Sequence, residues 1–480
     1  MSTDHPSQKP RTAAPTARSA ALAALLACHK SDDGLDQLLD RHFRKAPPDP
    51  RERALAMELA YGVLRREEAL DWRLEPVLQK PLRRLPMAIQ MVLRLGAYQL
   101  FFLDRIPPSA AVNESVNLAR SYGAELGRDW SGFVNAVLRN LLRLPEPPLP
   151  DLPTHPAQNL SIRYAVPQWL CERWVERLGP AQADVACASA GSIPPVTLRV
   201  NRQYATRDEY LAHLRQQGVT ARATAVSPVG LTLEAGGPIA SLPGFQEGAF
   251  YVEDEAAQLI PPLLDPQPGE TALDVCAAPG GKTSHLAELM ENRGCIVAVD
   301  RQPARLDVLR ENCRRLRLTS VRPLLGDGRK PLDLLRAARK PDRERSTPLL
   351  PQDRLFDRIL LDAPCSGIGV LRRHPEAKHK KDTAGLARHH RLQRELLEAA
   401  AGVLRPSGVL VYSTCSTEPE ENESVVDQFL QAHAEFRRES VAPWLPDTGQ
   451  ELLTKRGDLS TMGNPYAMDG FYAARLIKVG

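Results

Sequence analysis

The sequence predicts a multidomain chain in three parts: an all-α N-terminal domain, a small α+β module, and a C-terminal doubly wound α/β domain. Three observations predict it. Apolar residues recur at helical spacing over residues 15–144, with no strand-like alternation. The Pro-rich stretch Pro145-Glu-Pro-Pro-Leu-Pro-Asp-Leu-Pro153 marks a boundary. From Thr271 onward, short apolar strands alternate with helices in the order that builds a parallel sheet.

A length of 480 residues fits about three domains. Apolar and charged contents of 43% and 25% are those of an ordinary globular chain. No stretch supplies the ~20 apolar residues that a bilayer span requires, so no membrane partner is expected. The net charge of +4 permits a nucleic-acid partner without arguing for one, because local clustering decides. The eight Cys are scattered, with no Cys-x-x-Cys pair. That pattern disfavours a zinc site and a disulfide scaffold, so no metal is expected. Free thiols fit a reducing, cytoplasmic compartment.

In chain order, residues 1–14 read as a disordered tail. The apolar run Ser19–Cys28 has the composition of a targeting signal, but the helical pattern continues into Leu35, Leu38 and Leu39, which favours the first helix of a domain. Further helices are predicted at Arg53–Leu64, Glu67–Leu78, Ile89–Leu103, Ala110–Tyr122 and Gly132–Leu144. Residues 145–156 are read as the linker and 157–255 as the small module. The module comprises a helix over Pro167–Leu178, a strand over Pro195–Asn201, a helix over Arg207–Gln217, and strands over Val219–Ala225 and Gly230–Leu233. Arg199 and Asn201 share a face of its first strand. They are candidates for RNA backbone contact, with a structural turn role equally open.

The C-terminal domain, 256–480, carries the chemistry. Its strands are predicted at Ala272–Val275, Cys295–Val299, Ser320–Leu325, Phe356–Leu361 and Val409–Tyr412. A late antiparallel strand over Phe471–Lys478 is expected at the sheet edge. Helices are expected over Lys282–Glu291, Ala304–Arg317 and Ala387–Leu404. Residues 329–354, rich in Arg and Pro, read as an exposed insertion that opens with a short helix at Leu332–Ala338. In such Rossmann-like sheets ligands bind beyond the carboxyl ends of the strands. The turn Cys276-Ala277-Ala278-Pro279-Gly280-Gly281-Lys282 lets backbone approach a ligand and opens a helix N-terminus. It is neither a dinucleotide fingerprint nor a P-loop. Asp300, about 20 residues on, is placed for ribose hydroxyls, and Asp327 for an adenine amino group. Any one Asp could equally be a helix cap; three at successive strand ends, with Asp362, point to a nucleoside ligand. Cys365 and Cys415 lie in neighbouring strand-end loops. A thiolate there can add to C6 of a pyrimidine and make C5 nucleophilic. Spacing does not choose between the two thiols.

Asp274-Val-Cys-Ala-Ala-Pro-Gly-Gly-Lys282, Asp362-Ala-Pro-Cys-Ser-Gly367 and Ser413-Thr-Cys-Ser416 together resemble the S-adenosylmethionine-dependent RNA cytosine-5 methyltransferases of the RsmB/NOP family. Ala111-Val-Asn-Glu-Ser-Val116 and Phe133-Val-Asn-Ala-Val-Leu-Arg139 resemble a NusB-like domain. With Leu371-Arg-Arg-His-Pro-Glu376, the pairing is similar to bacterial members that modify 16S rRNA, the cytosine-967 class. The resemblance implies Cys415 as nucleophile, Cys365 in product release, and Asp362 and Lys282 beside the reacting base. It also implies S-adenosyl-L-methionine held by Cys276, Ala277, Ala278, Pro279, Gly280, Gly281, Lys282, Asp300, Asp327 and Asp362. Arg372, Arg373, Lys378, Lys380 and Lys381 would then guide RNA phosphates, with a solvated basic loop the alternative. The insertion is longer than in the family, and the Pro-containing turn before Asp469-Gly-Phe-Tyr472 is altered at Thr461-Met-Gly-Asn464. Competing readings are the same chemistry on tRNA or another RNA, a non-catalytic RNA-binding or antitermination protein, and a nicotinamide-dependent oxidoreductase. The intact Cys pair opposes the second, and the missing Gly-x-Gly-x-x-Gly the third.

Overall fold

A computed structural model describes residues 16–31, 33–45, 47–123, 125–234, 237–339 and 355–480. The expected tail at 1–14, and 340–354 of the expected insertion, lie outside them. The chain divides into two compact units, Met1–Ser192 with Leu371–Lys380, and Ile193–Val370 with Lys381–Gly480.

The first unit is helical. Its central helix, Met87–Phe102, is buried nearly all round, as its lack of a polar face requires. Around it pack Ala17–Cys28, Pro50–Arg65, Pro108–Ser121 and Ser131–Leu141. Asp49 caps Pro50–Arg65 by accepting the Arg51 N–H at 2.7 Å. The Tyr98 ring fills the space a Cβ on Gly62 would need, so these two helices pack closely. The apolar pattern at Leu35, Leu38 and Leu39 belongs to a separate helix, Leu35–Lys45. The first compact unit runs on past the Pro-rich stretch 145–156. Helices Pro156–Tyr164, Gln168–Leu178 and Pro180–Gly191 also belong to it, and the first of them packs on Glu67–Leu74.

The second unit holds two sheets. The smaller is antiparallel, in the order β2-β3-β1-β4: β1 (Thr197–Val200), β2 (Ala221–Ala223), β3 (Gly230–Leu233) and β4 (Phe250–Val252). Helix Arg207–Gln216, started by a Thr206–Glu209 capping box, buries Tyr210 and Leu214 against Leu198, Val200, Leu231 and Phe250.

The larger sheet contains β5 (Thr271–Val275), β6 (Cys295–Asp300), β7 (Val321–Leu325), β8 (Phe356–Asp362), β9 (Leu404–Thr414), β10 (Phe436–Glu439), β11 (Leu459–Ser460) and β12 (Tyr472–Lys478). The order is β10-β12-β9-β8-β5-β6-β7, with β11 on β12. The pairs β9/β8, β8/β5, β5/β6 and β6/β7 are parallel. The inner strands β5, β6, β8 and β9 carry buried Val, Leu and Ile, as a sheet covered on both faces demands, while β7 at the end of the sheet buries only Val321. β12 is antiparallel, as expected, but is not at the edge, because β10 pairs along its other side. Helix Thr383–Ala401 starts before the expected Ala387, because Asp382 accepts the Gly385 N–H at 2.6 Å. The parallel register lines up the carboxyl ends of β5 to β9, pairing Asp362 with Ser413 and Val275 with Val299.

Candidate active site

The turn after β5 is fixed from several sides. Ala277 N–H donates to the Val299 carbonyl at 2.9 Å, and Asn312 Nδ2 donates to the Pro279 carbonyl at 3.1 Å. The Arg305 guanidinium donates to the Ala278 carbonyl. Gly280 has φ of 104°, a conformation that favours glycine. A Cβ on Gly281 would sit 2.8 Å from Glu253 Oε1. The helix Gly281–Leu289 starts there, and its first N–H groups have no partner within the helix ladder.

Two clefts open from this turn, and Cys276 lines both. One is bounded by Asp300, Asp327, Pro364 and Leu392. Asp300 is buried. Its Oδ1 accepts the Gln302 N–H at 2.9 Å, and Arg305 lies 3.6 Å from its Oδ2. Asp327 is engaged by Arg329, with Nη2 2.7 Å from Oδ2, and these hydrogen bonds hold its carboxyl down at about 2. The other cleft is bounded by Tyr251, Glu253, Asp274, Lys282 and Asp362. Thr283 Oγ1 donates to Asp274 Oδ2 at 2.5 Å, while Asp274 Oδ1 is buried with no hydrogen-bond partner among the described residues. Burial pushes the Asp274 carboxyl up to about 7, against the Thr283 hydrogen bond. Burial, then Asp362 and Asp300, push the Cys276 thiol up to about 12, so it stays a neutral wall of the cleft.

The thiols come from the neighbouring strands β8 and β9. Cys365 Sγ and Cys415 Sγ are 3.1 Å apart. The shared hydrogen bond with Cys415, then burial, raise the Cys365 thiol well above its ordinary value. Beside them, Lys282 Nζ donates to Asp362 Oδ2 at 2.9 Å, and Ser413 Oγ donates to Asp362 Oδ1 at 2.8 Å. The Phe471 ring lies 5.0 Å from Lys282 Nζ, which brings Asp469-Gly-Phe-Tyr472 to the site. The expected catalytic and donor-binding residues thus converge on the carboxyl ends of β5 to β9.

The expected RNA contacts fare differently. Arg199 is fully buried: it pairs with Glu253 at 2.5 Å and Glu288 at 2.9 Å, and donates to the Gly281 carbonyl at 2.6 Å. No face of it is left for RNA. Asn201 is buried too, donating to the Gly248 carbonyl at 2.9 Å and accepting the Gln203 N–H at 3.0 Å, which is the structural turn role. Arg372 and Lys378 are buried in the first unit. Lys378 Nζ donates to the Leu64, Arg65 and Ala165 carbonyls, the orphan acceptors at two helix C-termini. A Lys-rich run reads as solvated only if nothing folds over it. Here the 3₁₀ segment Pro375–Lys380 buries its middle. Arg373 is half-buried, Lys380 exposed and donating to the Ser31 carbonyl at 2.5 Å, and Lys381 half-exposed. Sequence reasoning gave no role in the site to Asp274, Arg305, Arg329 or Glu421. Only the motif around Asp274 carried a signal, and that signal named the segment rather than the side chain.

The buried, unpartnered Asp274 oxygen suits a cationic ligand, and the buried Asp300 suits a ribose. Those groups fit S-adenosylmethionine, and the doubly wound sheet with this cleft defines a methyltransferase of the class that uses it. Comparison with known proteins agrees. The model of the 16S rRNA methyltransferase RsmB/F family matches residues 261–477, the NusB family 15–143, and the RsmF/B-like ferredoxin-like domain 166–240. A probable ribosomal RNA small subunit methyltransferase B of Synechocystis sp. is 38% identical, over 96% of this chain and 99% of that one. Ribosomal RNA small subunit methyltransferase B of Pseudomonas syringae pv. tomato is 38% identical, over 96% and 97%. The crystal structure of PH0851 superposes with a TM-score of 0.78 at 26% identity, over 98% of this chain and 100% of that one. The chain belongs to the RsmB/F family of S-adenosylmethionine-dependent 16S rRNA methyltransferases.

Proposed function

We propose that this enzyme methylates C5 of a cytosine in 16S rRNA, of the cytosine-967 class, through a covalent bond between Cys415 and C6 of the base. The observation that carries the reading is the pair of thiols 3.1 Å apart, next to the Lys282–Asp362 ion pair. Cys415 Sγ, as thiolate, adds to C6, and the displaced electron pair makes C5 nucleophilic. Bound S-adenosylmethionine supplies an electrophilic methyl group. Loss of the C5 proton then restores the ring double bond and breaks the S–C6 bond. Cys365, whose thiol keeps its proton, hydrogen-bonds the departing Cys415 sulfur and assists that release. Asp362 accepts a hydrogen bond from the cytosine N4 amino group, and Lys282 holds it in place. Cys276–Lys282 and Asp274 receive the amino-acid end of the donor, Asp300 its ribose, and Asp327 its adenine once Arg329 yields. Lys380 and Lys381 meet RNA phosphates. The free thiols suit work in the cytoplasm.

The test is bisulfite mapping of rRNA and tRNA from cells that lack the protein, complemented with wild type or Cys415→Ala. One 16S cytosine should lose its mark and regain it only with wild type. Full complementation by Cys415→Ala would refute the adduct. A mark lost from tRNA instead would move the substrate.

A further inference from the structure

Glu421 is a fully buried carboxylate that the chemistry above does not use. It lies just past β9, and its hydrogen bonds reach both thiol loops. Oε1 accepts the Ser366 N–H at 2.7 Å, and Oε2 accepts Ser366 Oγ and Ser416 Oγ, each at 2.5 Å. Ser366 directly follows Cys365, and Ser416 directly follows Cys415. Gln393 Nε2 spans the Pro364 carbonyl, at 3.0 Å, and Glu421 Oε1, at 3.2 Å. The backbone next to Glu421 is held as well: Tyr412 Oη donates to its carbonyl at 2.6 Å, and Asn422 Nδ2 donates to the Ser416 carbonyl at 3.0 Å.

We propose that Glu421 is a positioning residue that clips the Cys365 and Cys415 loops into one register, so that the releasing thiol stays within reach of the attacking sulfur. The proposal rests on the two-thiol reading above. The chemistry of the clip requires a carboxylate. Its donors are two hydroxyls, an N–H and an amide, and only an acceptor on both oxygens satisfies all of them. Glutamine would turn an NH2 group toward one of these donors and release a loop. Burial raises the carboxyl, but His389 and the Ser366 and Ser416 hydrogen bonds outweigh it and keep Glu421 below the ordinary value, hence ionised. His389 Nδ1 lies 3.4 Å from Oε1 and is part-exposed, so the buried charge has a polar neighbour toward solvent.

The experiment compares wild type, Glu421→Gln and Glu421→Asp as full chains in two assays. In the first, diamide oxidises the two thiols to a Cys365–Cys415 disulfide and is itself reduced to the hydrazine. The rate, read by mass spectrometry of unreduced peptides, reports thiol register without any methyl transfer. In the second, methyl transfer to 16S rRNA is split into kcat and KM. The expected result for Glu421→Gln is slower cross-linking and a kcat lower by about 10²-fold, with KM for the donor little changed. Glu421→Asp keeps the carboxylate and recovers part of both. Equal cross-linking in wild type and Glu421→Gln, including none in either, overturns the proposal. So does a loss confined to donor KM. Changed cross-linking with unchanged kcat leaves the clip standing and sinks the two-thiol mechanism instead. If Glu421→Gln does not fold, Ser366→Ala and Ser416→Ala, which each remove one hydroxyl from the carboxylate, carry the same comparison.

Discussion

Lys282 Nζ donates to Asp362 Oδ2 at 2.9 Å, so the turn after β5 and the loop after β8 share one ion pair. Burial works against the ammonium, but Asp362 and then Glu253 outweigh it and hold the Lys282 pKa above the ordinary lysine value. Lysine therefore stays charged and fixes Asp362 from one side while Ser413 fixes it from the other. Lys282→Met is expected to lower single-turnover methyl transfer by about 10²–10³-fold, the usual cost of one aimed electrostatic group. An unchanged rate would remove Lys282 from the reaction.

Cys365→Ala should trap the enzyme on its substrate. With the neighbouring thiol gone, attack by Cys415 proceeds and release slows. A protein–RNA species that survives denaturing gel electrophoresis is expected with Cys365→Ala and absent with Cys415→Ala. The reverse pattern would exchange the two roles.

Much of this site was legible in the sequence because it sits on strand ends. Each parallel strand is a short apolar run, and the residue after it must lie on the ligand side, so Cys276, Asp300, Asp327, Asp362 and Cys415 could be placed without a structure. The side chains that hold those residues could not. Glu421 looks like any acid in a Glu-rich run, and Glu253 like a helix-start acid. Their partners are far away in the chain: Ser366 for one, Arg199 for the other. The basic residues misled for the same reason. Whether an Arg or Lys faces solvent depends on what packs over it, and spacing carries no record of that for Arg199 or Lys378.

Asp274 predicts a pH dependence for donor binding. Its carboxyl is raised by burial to about 7, so in the free enzyme it holds its proton below that value. A cationic ligand in this cleft favours the ionised form. S-adenosylmethionine affinity, followed by calorimetric titration from about pH 8 down to about pH 6, is expected to weaken, approaching tenfold per unit below the pKa. Asp274→Asn should bind more weakly and lose that slope; a slope that survives the substitution assigns it to another group. The ligand-free fold has its own sign. A folded pKa above the unfolded one stabilises fully below the ordinary aspartate range, and that contribution is lost as pH rises through about 7.

Arg199 is expected to matter for stability and not for RNA. Its guanidinium touches Glu253, Glu288, Ser284 and the Gly281 carbonyl, which ties the small sheet to the helix that follows the turn after β5. Burial opposes its charge, and Glu288 and Glu253 outweigh burial to keep it protonated. Arg199→Met would leave buried Glu288 without its ion-pair partner and Glu253 with only the Lys282 charge nearby, a loss of about 3–5 kcal/mol for a buried pair of this kind. Arg199→Lys restores one charge but not the forked geometry, and should recover only part. Urea unfolding measures both. A direct phosphate contact predicts something else: a salt dependence of RNA affinity that becomes shallower by about one unit of slope when the arginine is removed. Because the side chain is sealed from solvent, Arg199→Met held at low temperature, where it stays folded, should keep the wild-type salt slope.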